Sequence, residues 1–117
     1  MGRLTTHVLD TATGRPAQGV RIELHRLEGD AWVPLAEVVT NHDGRCDGPI
    51  LEGGAFAAGI YELTFHVGAY FDASGLDLPE LKFLDTVPIR FGIAEPGQHY
   101  HVPLLISPFS FSTYRGS

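Results

Sequence analysis

Val20-Arg21-Ile22-Glu23-Leu24-His25-Arg26-Leu27 sets Val20, Ile22 and Leu24 against Arg21, Glu23 and His25, one apolar residue to each polar one. In an extended chain successive side chains point to opposite faces, so a period of two places the apolar set on one side and predicts a half-buried strand. Leu4 to Leu9 reads the same way. Between the two lies Asp10-Thr11-Ala12-Thr13-Gly14-Arg15-Pro16, a connector of turn-forming residues. Two strands joined by such a connector point to a β protein, and the rest of the chain repeats the pattern.

Trp32 to Thr40 is predicted as a third strand, followed by a turn at Asn41-His42-Asp43-Gly44, where Asn, Asp and Gly tolerate the required backbone angles. Residues 46–59 read as loop, ending in Gly53-Gly54-Ala55-Phe56-Ala57-Ala58-Gly59, which lacks the Lys-Ser/Thr ending of a phosphate-binding loop. Tyr61 to Val67 is the next strand and Gly68 to Ser74 one short helical turn. Leu84 to Ile93 follows, where Pro88 marks an edge position or a bulge because it cannot donate to a ladder. Gln98 to Ser107 and Ser110 to Arg115 complete seven or so strands, the pattern of a Greek-key β-sandwich.

The 117 residues suit one domain, 1–117, and a chain this short leaves much apolar surface poorly covered, which favours self-association. A net charge of -6 argues against a nucleic-acid partner, which clustered Lys and Arg would have to hold. No stretch approaches the roughly 20 apolar residues of a membrane helix. No basic segment ahead of an apolar run opens the chain, and the single cysteine, Cys46, has no internal disulfide partner, so a cytoplasmic location is expected.

His99-Tyr100-His101-Val102-Pro103-Leu104-Leu105 decides the chemistry. Period two puts Tyr100, Val102 and Leu104 on the core face and turns His99, His101 and Pro103 toward solvent, a cleft or another subunit. The chain then closes with Tyr114-Arg115-Gly116-Ser117, a ring, a guanidinium, a glycine and a hydroxyl with an expected free carboxylate, all within reach of that histidine face. A metal site is not indicated, since zinc wants three or four ligands and no CxxC or HExxH pattern is present. Cys46 lacks any nucleophile motif and reads as a small packed side chain.

Four blocks in order, Thr6-His7-Val8-Leu9-Asp10-Thr11-Ala12-Thr13-Gly14-Arg15-Pro16-Ala17, Thr40-Asn41-His42-Asp43-Gly44-Arg45, Phe83 to Ile93, and His99 to Leu105 through Tyr114-Arg115-Gly116-Ser117, resemble the transthyretin-related 5-hydroxyisourate hydrolases. The resemblance implies an all-β, transthyretin-like sandwich of two four-stranded sheets with one short helix, assembled as a homotetramer. It also implies a small-molecule substrate and cofactor-free hydrolysis: water opens the ring of 5-hydroxyisourate to give 2-oxo-4-hydroxy-4-carboxy-5-ureidoimidazoline in urate breakdown. The implied catalytic residues are His7, Arg45, His101 and Ser117. Substrate binding falls to His7, Arg45, Tyr114, Arg115 and Gly116.

The residue types suit that chemistry. Water needs a base with a pKa near neutrality, which imidazole supplies, and His101 is the expected base. A tetrahedral intermediate needs a fixed cation, which Arg45 supplies while orienting a planar substrate through paired hydrogen bonds. His7 donates a proton or holds the carbonyl, and the tail positions water or His101. The carrier transthyretin shares the implied fold, but in that branch lysine stands at the position of His7 and the terminal tetrapeptide is absent.

Overall fold

The computed structural model describes residues 2–117. Among these the order is β1 (Arg3–Asp10), β2 (Arg15–Pro16), β3 (Arg21–Glu28), β4 (Ala31–Val39), β5 (Leu51–Glu52), β6 (Gly59–His66), α1 (Val67–Ala73), β7 (Thr86–Ile93), β8 (Tyr100–Ile106) and β9 (Phe111–Thr113). One sheet runs β4-β3-β6-β7. The other runs β2-β1-β8-β9, with β5 added alongside β1.

The two-sheet sandwich with its short helix agrees with the expectation, except that one sheet carries a fifth strand. Both elements that the periodicity passed over, β2 and β5, are only two residues long, too short to display a period. They dock where β1 offers unpaired backbone groups, β2 at Leu9 and Asp10 and β5 at Arg3 and Leu4. Pro88 stands on β7, which pairs only with β6 and so forms an edge, where a missing N–H leaves no gap in the ladder.

The inner faces interlock as the alternation requires. Ile22 and Leu24 of β3, Leu63 and Phe65 of β6, Leu4 and Val8 of β1, and Leu104 and Ile106 of β8 are all at most 1% exposed. Burying each such side chain contributes about 1.5–3 kcal/mol, which makes this shared layer the main support of the sandwich. Tyr100 and Val102 lie on the same inner face.

One pairing has direct functional weight. β1 and β8 lie side by side and parallel, with Thr5 opposite His101 and His7 opposite Pro103. Residues nearly a hundred positions apart thereby share one sheet face. Since Leu4, Thr6, Val8 and Asp10 point inward, Thr5 and His7 must point outward, onto the face that carries His101.

Candidate active site

On that outer face the two rings meet. His7 Nδ1 lies 2.7 Å from His101 Nε2, and the rings stack with centroids 4.9 Å apart. His101 Nδ1 lies 2.7 Å from the Thr5 hydroxyl. Both ring nitrogens of His101 are therefore engaged, and at 7% exposure the ring is sunk in a cleft rather than solvated. His7 uses only Nδ1 in this contact, which leaves Nε2 for a molecule in the cleft.

Arg45 comes from the turn after β4. Asn41 Oδ1 accepts from the backbone N–H groups of Asp43 and Arg45, and Asn41 N–H donates to the Arg45 carbonyl at 2.7 Å. Gly44 makes the docking possible: its φ is +72°, and a Cβ there would stand 2.4 Å from the Val8 carbonyl oxygen. Val8 N–H donates to the Gly44 carbonyl at 2.8 Å, which sets Arg45 in an isolated bridge with His7.

The tail is tied to the same place. Gly116 N–H donates to the His101 carbonyl at 2.8 Å, and a Cβ on Gly116 would lie 2.8 Å from His101 Cδ2. Only glycine lets the tail run this close to the ring. Tyr114, Gly116 and Ser117 all border a cleft of about 540 Å³ shared with His7, Arg45 and His101. Arg115 does not border it, contrary to its expected contact with substrate. Alternate tail residues face opposite ways, and its guanidinium stacks 4.0 Å from the Tyr100 ring centre while donating to Gln98 Oε1 and the His99 carbonyl.

The cleft's charge runs against that of the whole chain. The protein carries a net charge of -6, yet among the described residues the cleft is bordered by Arg3 and Arg45 and by no Asp or Glu side chain. Burial, and then the Arg45 charge, hold His7 below the ordinary imidazole pKa. For His101 burial comes first, then His7, Arg45 and His99, and its pKa falls to about 4. Both rings are thus neutral near pH 7, able to take or give a proton, in a field that draws an electron-rich ligand.

Cys46 also borders the cleft, but burial and then Asp47 raise its thiol pKa, which keeps it protonated and a poor nucleophile. Among the described residues no group of three or more His, Cys, Asp or Glu side chains is gathered to hold a metal ion. Thr5 and Arg3 escaped the sequence reading. Thr5 stands two residues before His7 on one strand face, a visible signal, but its contact with His101 depends on a strand register that one sequence does not display.

Fold and cleft together define a transthyretin-type β-sandwich with an imidazole pair and an arginine bordering one outer-face cleft. The chain belongs to the HIUase/Transthyretin family, whose sequence model matches residues 4–116. It is 63% identical to 5-hydroxyisourate hydrolase 2 of Rhizobium meliloti over 116 residues, 99% of this chain and 97% of that protein. Among solved structures, (S)-allantoin synthase superposes with a TM-score of 0.94 at 55% identity, over 99% of this chain; the chain spans 44% of that protein. Transthyretin from Sparus aurata superposes with a TM-score of 0.87 at 28% identity, over 97% of this chain and 96% of that one.

Proposed function

We propose that this protein hydrolyses 5-hydroxyisourate, opening its six-membered ring to give 2-oxo-4-hydroxy-4-carboxy-5-ureidoimidazoline. The observation that carries this reading is the 2.7 Å contact between two neutral imidazoles in a cleft free of acidic side chains, with Arg45 bridged to His7. The name and near full-length match of the Rhizobium meliloti relative support the choice of substrate.

In this reading water gives a proton to the imidazole pair as its oxygen attacks a ring carbonyl carbon. The resulting oxyanion lies against the Arg45 guanidinium, a fixed charge that needs no reorganisation as negative charge develops. The carbonyl carbon–nitrogen bond then breaks, and the pair returns a proton to the leaving nitrogen. Because both nitrogens of His101 are engaged, the proton enters at His7 Nε2, and His101 acts through its bond to His7 rather than touching water itself. The Ser117 hydroxyl and Tyr114 close the rim over substrate. Arg115 holds the tail down on Tyr100.

The same reading makes the working form a homotetramer. Phe83 and Phe109, both exposed and with ring centres 6.2 Å apart, form an apolar patch of the kind an association surface uses. Light scattering measures the assembly. Activity is tested by adding freshly generated 5-hydroxyisourate and following its ultraviolet absorbance: the expected outcome is decay far above the spontaneous rate, and decay at the spontaneous rate overturns the reading.

A further inference from the structure

The imidazole pair does not end at His101. Thr5 Oγ1, 2.7 Å from His101 Nδ1, also lies 3.2 Å from His99 Nε2, and Arg3 Nε donates to His99 Nδ1 at 3.4 Å. Five residues thus form one unbranched hydrogen-bonded line from the cleft to its rim: His7, His101, Thr5, His99, Arg3. Three belong to β1 and are spaced by two, and the two histidines of the His-Tyr-His run are likewise spaced by two. The parallel register of β1 and β8 brings both sets to the same face.

We propose that Thr5 and His99 extend the His7–His101 pair into a proton relay between the cleft and the rim, and that Arg3 sets its direction in the free enzyme. The inference rests on the hydrolytic reading above for its use, but not for its geometry. An arginine side chain donates and does not accept. Arg3 therefore makes His99 Nδ1 an acceptor and places the His99 proton on Nε2. His99 Nε2–H then donates to Thr5 Oγ1, the Thr5 hydroxyl donates to His101 Nδ1, and His101 Nε2–H donates to His7 Nδ1. His7 is left presenting Nε2–H to the cleft. One fixed donor at the rim decides four hydrogen positions.

The line has a second state, with every proton moved one step. There His7, His101 and His99 carry their protons on Nδ1, Thr5 donates to His99 Nε2, His7 Nε2 is a free acceptor, and the exposed Arg3, which cannot face His99 Nδ1–H, is released from His99. The free enzyme enters this state when His7 Nε2–H passes to water in the cleft as a proton enters at His99 Nδ1. A proton taken from water at His7 Nε2 pushes one proton across each link in turn. One proton leaves His99 Nδ1 for solvent, and the first state is restored. When His7 Nε2–H is given to the leaving nitrogen, a proton enters at His99 Nδ1 and the line returns to the second state, so the cycle balances.

The relay answers a difficulty in the cleft. A base that simply kept the proton would become an imidazolium in a partly buried site beside Arg45, where burial and that charge disfavour it. Passing the proton along keeps every ring neutral. His99 and Arg3 stand where water is available, His99 half-buried and Arg3 exposed. Thr5 and His99 are positioning residues here, since neither touches the reacting atoms.

The test begins with the unmodified protein. Long-range proton–nitrogen NMR of the ligand-free chain near pH 7 is expected to find His7, His99 and His101 as Nε2–H tautomers; Nδ1–H at His7 or His101 overturns the direction. In Arg3→Met the His101 population is expected to move measurably toward Nδ1–H, and an unchanged population removes Arg3 from the scheme. Thr5→Val keeps the shape and breaks the line. Its kcat is expected to fall at least about tenfold with KM within about twofold, and Thr5→Ser is expected to recover most of it. A Thr5→Val enzyme within about twofold of the parent kcat overturns the relay. Should Thr5→Val fail to fold, His99→Phe at the rim gives the same reading of kcat. If the parent protein leaves 5-hydroxyisourate untouched, the hydrolytic reading fails while the tautomer pattern still judges the line.

Discussion

Two histidines sit on opposite outer faces of the sandwich in contacts of nearly equal length. On the β1–β8 face His101 meets His7 at 2.7 Å; on the β3–β6 face His66 Nε2 meets Glu23 Oε1 at 2.6 Å. Their surroundings differ in sign. Glu23 also receives Arg21 at 3.0 Å, and the hydrogen bond from His66 is the first cause of its lowered carboxyl pKa. That contact leaves the Glu23 carboxylate fully partnered. In the cleft two imidazoles face each other beside Arg45 with no carboxylate side chain to stabilise a cation, so both stay neutral and reactive. The lesson is that the partner, not the histidine or the distance, decides whether the group holds the fold or moves protons.

The sharpest way to break this contrast is to remove each ring. His7→Ala is expected to lower turnover by about 10²–10⁴ while the melting temperature moves little, as follows for a group whose work is proton transfer. His66→Gln is expected to leave turnover alone; equal losses from the two variants, in steady-state assays, would erase the distinction. Arg45→Met comes next, with a loss of about 10²–10³ in kcat, and Arg45→Lys recovers part of it because a point charge lacks the paired geometry.

Gly116→Ala isolates the placement of the His101 ring. The added Cβ meets His101 Cδ2 at 2.8 Å, and that ring is tethered through both nitrogens, so the tail or the ring must yield. We expect about a tenfold loss of kcat, within the range known for small misplacements, with little change in a thermal melt. A fully active Gly116→Ala enzyme would show that the tail's close approach is dispensable.

Acid separates the two faces by pH window. His101 has its pKa lowered from 6.5 to about 4, so between those values the unfolded chain binds a proton that the folded chain refuses. Stability is therefore expected to fall as pH drops through that window, and less so in His101→Gln. Glu23 has a depressed carboxyl pKa in the fold, and its contribution is present above 4.5 and lost on further acidification. Denaturant melts of Glu23→Gln should therefore depart from the parent above pH 4.5 and converge with it below. The smallest effect is that of His66→Gln on stability near neutrality, a barely measurable shift in the melting midpoint, as expected for a surface pair.

Much of the fold was legible because several strands are half-buried: the alternation in Val20 to His25 is the imprint of one wet and one dry face. In Tyr100 to Leu104 the same period separates a core face from a cleft face, and all five residues are buried. Pro88 marked an edge for the same kind of reason, a missing donor. The helix was placed within one residue, at Val67–Ala73 rather than Gly68–Ser74. β2 and β5 left no imprint, since two residues carry no period. At the site, the residue types of His7, Arg45 and His101 and the tail were readable through resemblance, and the structure gathers them in one cleft. The side to which Arg115 turns was not readable, because it depends on the Tyr100 ring standing beside it.

By itself the sequence determined which residues face inward and which chemistry the outward ones could support, since a period of two and side-chain type are local properties. Tertiary structure alone decided that Thr5 lies opposite His101, that both nitrogens of His101 are occupied, and that the open nitrogen belongs to His7. Those facts follow from the parallel register of β1 and β8. Such a register is set by the packing of the whole core beneath the two strands, which neither strand encodes alone.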